Sequence, residues 1–166
     1  VFNNGIRRRK RKYPMNNLKA QIINTFDHIA KVLKEKNEKY GNSALTPGFF
    51  SGNNIYTNIL VRMDDKIKRI RTAGSDDNED AVLDLFGYSI LQRVYLGEND
   101  PSEIAPLCEI LKNKALLMNT EVTWDTIEHI LHWIRCEEIK NTLWDLIIVS
   151  LGLFIAQRDH ARKEEI

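Results

Sequence analysis

The sequence predicts an all-α fold, a single-domain bundle of five or six helices. Three observations carry that expectation. Every long segment repeats its apolar residues at the three- or four-residue spacing of one helix face, and no useful run alternates with the period of two that a strand requires. The breaks between segments fall at helix-stopping or helix-starting signals: Gly41, Gly97, Asp100-Pro101-Ser102 and Asn119-Thr120. Finally, 166 residues with 43% hydrophobic and 28% charged side chains suit one soluble domain that buries about two-thirds of its unfolded surface.

Residues 1–14 read as a basic flexible arm or extension, and residues 15–166 as the domain proper, with Met15 at its start. Arg7, Arg8, Arg9, Lys10, Arg11 and Lys12 are an unbroken cationic run in an arm without acids. Without these six, 18 of the 24 cations face 23 acids, so residues 15–166 carry a net charge of about −5. Only the arm therefore has the charge of a nucleic-acid binder, and it reads either as a phosphate contact or as a solvated tail. Cys108 and Cys136 lack the spacing of a metal knuckle and suit a reducing cytoplasm. No signal peptide is read at the N-terminus. No membrane partner is expected: the longest apolar run, 143–156, is short of the roughly 20 residues of a span and contains Asp145.

The first helix is expected over 18–40, with Leu18, Ile22, Phe26, Ile29, Leu33 and Tyr40 on its apolar face. Glu35 and Glu38 are neighbours on its polar face, an arrangement that suits either a divalent cation or an ordinary solvated surface. Residues 41–54 read as loop, long enough to suggest a functional role, with Phe49 and Phe50 at its centre as base-stacking residues or as core anchors. A second helix over 55–71 carries Tyr56, Leu60, Met63, Ile67 and Ile70 as its core stripe. Arg62, Lys66 and Arg69 flank that stripe as a cationic ridge, placed to meet either the acids of the next helix or a ligand phosphate.

The third helix, reaching Leu96 from an acidic cap over 75–80, is expected to pair antiparallel with the second at the centre of the fold. Helix N-termini favour acids, which accounts for Asp76, Asp77, Glu79 and Asp80. Asp84 lies a turn further in, among Leu83, Leu85 and Phe86, where a carboxylate is costly unless a positive group meets it. Further helices follow over 103–118, with Ile104, Leu107, Ile110 and Leu111 inward, and over 123–135, with Trp124, Ile127, Leu131 and Ile134 inward. The last, 137–158, is apolar nearly all round and reads as a central core helix or an oligomer face, with Asp145 embedded much as Asp84 is.

No Gly-rich phosphate loop, nucleophile elbow or catalytic triad pattern is present. The order K-N-E-K-Y-G-N-S (36–43), R-M-D-D-K-I-K-R-I (62–70), E-D-A-V-L-D-L-F-G-Y-S-I-L (79–91) instead resembles the nucleotide-modification-associated domain 1 family of phages and bacteria. Members typically read K-N-x-D-Y-G-x-S, a basic helix, then E-D-x-x-x-D-L-x-x-Y. The resemblance covers about residues 30–96, and Lys39 stands where the family usually has an acid. A more distant likeness is to the all-α MazG and dimeric dUTPase type of nucleoside triphosphate pyrophosphohydrolase, although their E-x-x-D spacing is absent.

These resemblances imply a phage-encoded protein of the bacterial cytoplasm that hydrolyses or binds a (d)NTP or related nucleotide with Mg²⁺. Asp84, Asp80 and Glu79 are then the candidate catalytic carboxylates, and Asp84, Asp80, Glu35 and Glu38 the candidate metal ligands. Arg62, Lys66 and Arg69 are expected to hold phosphates, while Tyr40, Asn42 and Tyr88 line the pocket. A homo-oligomer is expected. The competing expectation is a non-enzymatic phage adaptor or inhibitor that binds protein or nucleic acid through residues 7–12.

Overall fold

The computed structural model describes residues 15–50, 52–73, 80–118, 120–136 and 141–166. Among the described residues six helices make up the fold: α1 Met15–Tyr40, α2 Ile55–Ala73, α3 Ala81–Leu96, α4 Ile104–Met118, α5 Trp124–Cys136 and α6 Asn141–Glu164. Single 3₁₀ turns at Ser43–Leu45 and Pro101–Glu103 punctuate the connections. Among the described residues there is no strand, only one isolated antiparallel bridge between Gly48 and Gly52. The all-α, one-bundle expectation is met. No helix among the described residues is long and apolar enough to cross a membrane.

Local chemistry sets the helix ends. Asn54 Oδ1 accepts from the Thr57 N–H at the start of α2, and Asp80 Oδ1 accepts from the Leu83 N–H at the start of α3. Each satisfies an N–H that the first turn leaves without a partner. At the other end of α1, Gly41 and Asn42 both take left-handed backbone and turn the chain back on itself. Leu45, almost wholly buried, then pins the short 3₁₀ turn to the core.

α2 and α3 pack together as expected, but the centre of the fold is α3 against α6 and α2 lies outside it. α3 and α6 run antiparallel and are clamped at both ends: Asp80 meets Arg158 at one, Arg93 meets Asp145 at the other. α6 buries Trp144, nearly every residue from Ile147 to Gln157, and His160, so its apolar run is a core helix rather than an oligomer face. α1 and α4 pack on α6, α5 packs beside them, and α2 lies on the outer side of α3. The buried edge of α2 is Ile55, Ile59, Met63 and Ile70, with Tyr56, Leu60 and Ile67 only half-buried. Ile110 and Tyr40, expected inward, are exposed.

One contact explains why three helices approach so closely. The rings of Phe26 on α1 and Phe86 on α3 meet edge to face at 5.3 Å, and Gly152 on α6 offers them a surface without a side chain. A Cβ there would lie 2.5 Å from the Phe26 ring.

Candidate functional site

Between the second half of α1, the start of α3 and the middle of α2 lies a cleft of about 420 Å³, closed at one end by the turn that follows Tyr40. Its apolar lining is Ile29, Val32, Leu33, Leu83, Gly87, Leu91 and Ala44; its polar lining is Lys36, Asn37, Tyr40, Asn42, Ser43, Arg62, Asp84 and Tyr88. The expected pocket residues Tyr40, Asn42 and Tyr88 thus come together with Asp84 and Arg62. Helical geometry does this simply: the neighbours Lys36 and Asn37 lie one turn before Tyr40 on α1, and Asp84, Tyr88 and Leu91 follow one another a turn apart on α3.

Asp84 has the positive partner that its position demanded. Its Oδ2 is 3.0 Å from Lys66 Nζ on α2, and its Oδ1 is 3.8 Å from Lys36 Nζ on α1. Lys66 is only 12% exposed, so this pair is largely shielded and the carboxylate joins three helices electrostatically. The cationic ridge of α2 therefore splits into three roles. Lys66 meets Asp84, Arg69 meets Asp65 at 3.2 Å on its own helix, and Arg62 lines the cleft. Among the described residues no carboxylate lies within ion-pair distance of Arg62; its guanidinium is an uncommitted cation at the cleft.

Among the described residues that line the cleft, Asn42 is a second unsatisfied group. It sits in left-handed backbone at φ 61°, makes no capping bond to the turn that it begins, and has a buried Oδ1 without a hydrogen-bond partner. Across the mouth of the same turn, the Lys39 ammonium lies 5.2 Å from the centre of the Tyr40 ring.

The expected Mg²⁺ ligands are not gathered in this way. Asp80 commits both oxygens elsewhere: Oδ1 accepts from the Leu83 N–H and Arg158 Nη1, and Oδ2 accepts from Arg158 Nη2. Burial alone would raise its pKa, but these hydrogen bonds and the charges of Arg158 and Arg162 hold the carboxyl below its usual value. Its observed task is to cap α3 and tie it to α6, which differs from the metal or catalytic role expected of it. Glu35 and Glu38 are exposed beside Lys31 and Lys34 on α1 and do not line the cleft. Glu79 and the arm residues Arg7 to Lys12 lie outside the described residues. Among the described residues no group of three His, Cys, Asp or Glu is placed to hold a metal. Among the described residues Asp84 is the one carboxylate that lines the cleft, and it is already paired, so these residues do not fit a resident Mg²⁺ centre.

One feature escaped the sequence, and one of two readings open to a second is excluded. Lys36 joins the site from α1, where it looked like one more charge in a K-E-K-N-E-K surface. Phe49 and Phe50 neither anchor the loop nor pack on the core; they stack edge to face on each other and are 95% and 97% exposed. No protein-family model, curated protein or solved structure matches the chain.

Proposed function

We propose that this protein binds a nucleotide, or a related phosphorylated ligand, in the cleft between α1, α2 and α3. The carrying observation is Arg62, a guanidinium without a carboxylate partner among the described residues, on a cleft whose lining also offers aliphatic side chains and two tyrosines. Ligand sites commonly combine an apolar lining with a few charged or polar groups that fix orientation. Arginine favours phosphate, since its planar fork donates two hydrogen bonds to neighbouring oxygens. Lys36 adds a second cation, and Tyr40 and Tyr88 offer aromatic surface to a base.

Hydrolysis of a (d)NTP would be the enzymatic form of this reading, with Asp84 the carboxylate nearest to the ligand. Binding does not depend on it. A thermal-shift panel of nucleotides, run alongside phosphate and pyrophosphate release with Mg²⁺ present, tests both. Stabilisation by some nucleotide is expected, and a panel without any response sinks the reading.

A second reading, a non-enzymatic adaptor, is favoured by Phe49 and Phe50, whose rings stack on each other and stand exposed. It predicts that replacing both with serine abolishes capture of a protein or nucleic-acid partner and leaves nucleotide binding untouched.

A further inference from the structure

The charge balance of the cleft narrows the ligand further. Among the described residues Arg62 and Lys36 are the cations that line the cleft; Lys66 stands beside it, held by Asp84 at 3.0 Å and largely buried. That leaves Arg62 and, at 3.8 Å from Asp84 and more loosely held, Lys36. Two available cations balance about two negative charges, which is what a phosphate monoester carries near neutral pH. Each further phosphate adds charge that these side chains do not meet. Triphosphate sites usually meet it with Mg²⁺ held by one or two carboxylates and the phosphates themselves. Here the one carboxylate that lines the cleft among the described residues is neutralised by Lys66, and Asp80 is neutralised by Arg158. Volume points the same way: about 420 Å³ is at the small end of the roughly 300–1,000 Å³ typical of small-molecule sites.

Resting on the nucleotide reading above, we infer that the cleft takes a nucleoside monophosphate, bound as a dianion without a metal. Arg62 and Lys36 hold the phosphate, and the aliphatic and tyrosine lining holds the nucleoside.

Isothermal titration of the full chain with inorganic phosphate, nucleosides, nucleoside monophosphates and nucleoside triphosphates, each in EDTA and in Mg²⁺, tests this. Monophosphates should bind at least tenfold tighter than the matching nucleoside, triphosphate or free phosphate, with the same affinity in EDTA and Mg²⁺. Arg62→Ala should cost the monophosphate tenfold or more and leave the nucleoside unaffected; because Arg62 is exposed, the variant should melt as the wild type does. Tighter binding of triphosphate, or binding that requires Mg²⁺, overturns the inference and leaves the nucleotide reading standing. Equal binding of phosphate alone, or of nucleoside alone, also overturns it. Failure of every nucleotide to bind overturns both.

Discussion

Arg158 grips Asp80 with both terminal nitrogens, Nη2 to Oδ2 at 2.7 Å and Nη1 to Oδ1 at 3.0 Å, although the two are 78 residues apart. Arg158 is 10% exposed, so the pair sits where its charges are poorly screened. It joins the last turns of α6 to the first turn of α3 and locks the antiparallel pair at that end.

Asp80→Asn keeps a good helix cap and removes the charge, whereas Asp80→Ala removes both. Arg158 retains Asp159 at 2.9 Å, so neither change orphans it. We expect a loss of about 1–2 kcal/mol for Asn and about 1 kcal/mol more for Ala, read from urea unfolding. Acidity supplies an independent check. Because the folded carboxyl is held below its usual value, its contribution is present above the unfolded value of about 4 and is lost as pH falls through the folded one. The difference in Tm between wild type and Asp80→Asn should therefore shrink as pH drops below about 4. A constant gap down to strong acid would rule out the charge as the cause.

Gly152 invites a test in which two effects oppose each other. In a helix interior alanine is better than glycine by about 1 kcal/mol. Here the new methyl would meet Phe26 Cε2 and Cζ at 2.5 Å and Phe86 Cζ at 3.3 Å. Both rings are buried, so relief requires a shift of packed side chains at about 1–3 kcal/mol. Overcrowding should win, with a fall in Tm of a few degrees, and Phe26→Leu in the same chain should recover part of it. A rise in Tm for Gly152→Ala alone would show that α1 and α6 are less tightly apposed.

Periodicity made the helices legible, because burial of one face is a local property of sequence. It also exposed the embedded acids. Asp84 and Asp145 stood out as carboxylates among apolar neighbours, and both meet two cations, Lys66 and Lys36 for one, Arg93 and Lys114 for the other. Which cation meets which acid was not legible, since pairings such as Asp80 with Arg158 or Lys114 with Asp145 are made by tertiary packing. The same limit explains α2. Its stripe can be read with either Ile55 and Ile59 or Tyr56 and Leu60 facing inward, and only the position of α3 decides. For Phe49 and Phe50 the sequence leaves base stacking and core anchoring both open, and the Gly48–Gly52 bridge, which holds them exposed at the tip of a loop, excludes the second.

Asn42 separates backbone demand from side-chain use. Left-handed backbone disfavours alanine by about 1–2 kcal/mol and does not disfavour glycine. Asn42→Gly also removes a buried acceptor that has no partner. Asn42→Ala should therefore lower Tm and Asn42→Gly should not. If the amide turns to meet a ligand donor, both variants should weaken nucleotide binding alike, by up to about tenfold. Binding that tracks Tm instead would assign Asn42 to the turn alone.

Asp84 decides between an ion pair and a metal ligand, and the two readings predict opposite signs. Asp84→Asn leaves Lys66 with only Asp65 at 4.0 Å, a distance that offers little compensation. Because Asp84 is 32% exposed and Lys66 12%, the loss should fall between surface and buried pairs, about 1–2 kcal/mol, or a drop in Tm of roughly 2–8 °C. Lys66→Met in the same chain should cost less than the sum of the single changes, since it removes the cation left behind. Ligand affinity gives the sharper contrast. Removing a negative charge from the cleft releases Lys36 and Lys66 toward an anion, so nucleotide binding in EDTA should tighten several-fold. If Asp84 instead holds Mg²⁺ against phosphates, the same substitution abolishes Mg²⁺-dependent binding and leaves the stability of the metal-free protein unchanged or raised. Titrations of wild type and Asp84→Asn in EDTA and in Mg²⁺, with melting curves on the same samples, distinguish these outcomes. Tighter metal-free binding with a lower Tm is the result expected.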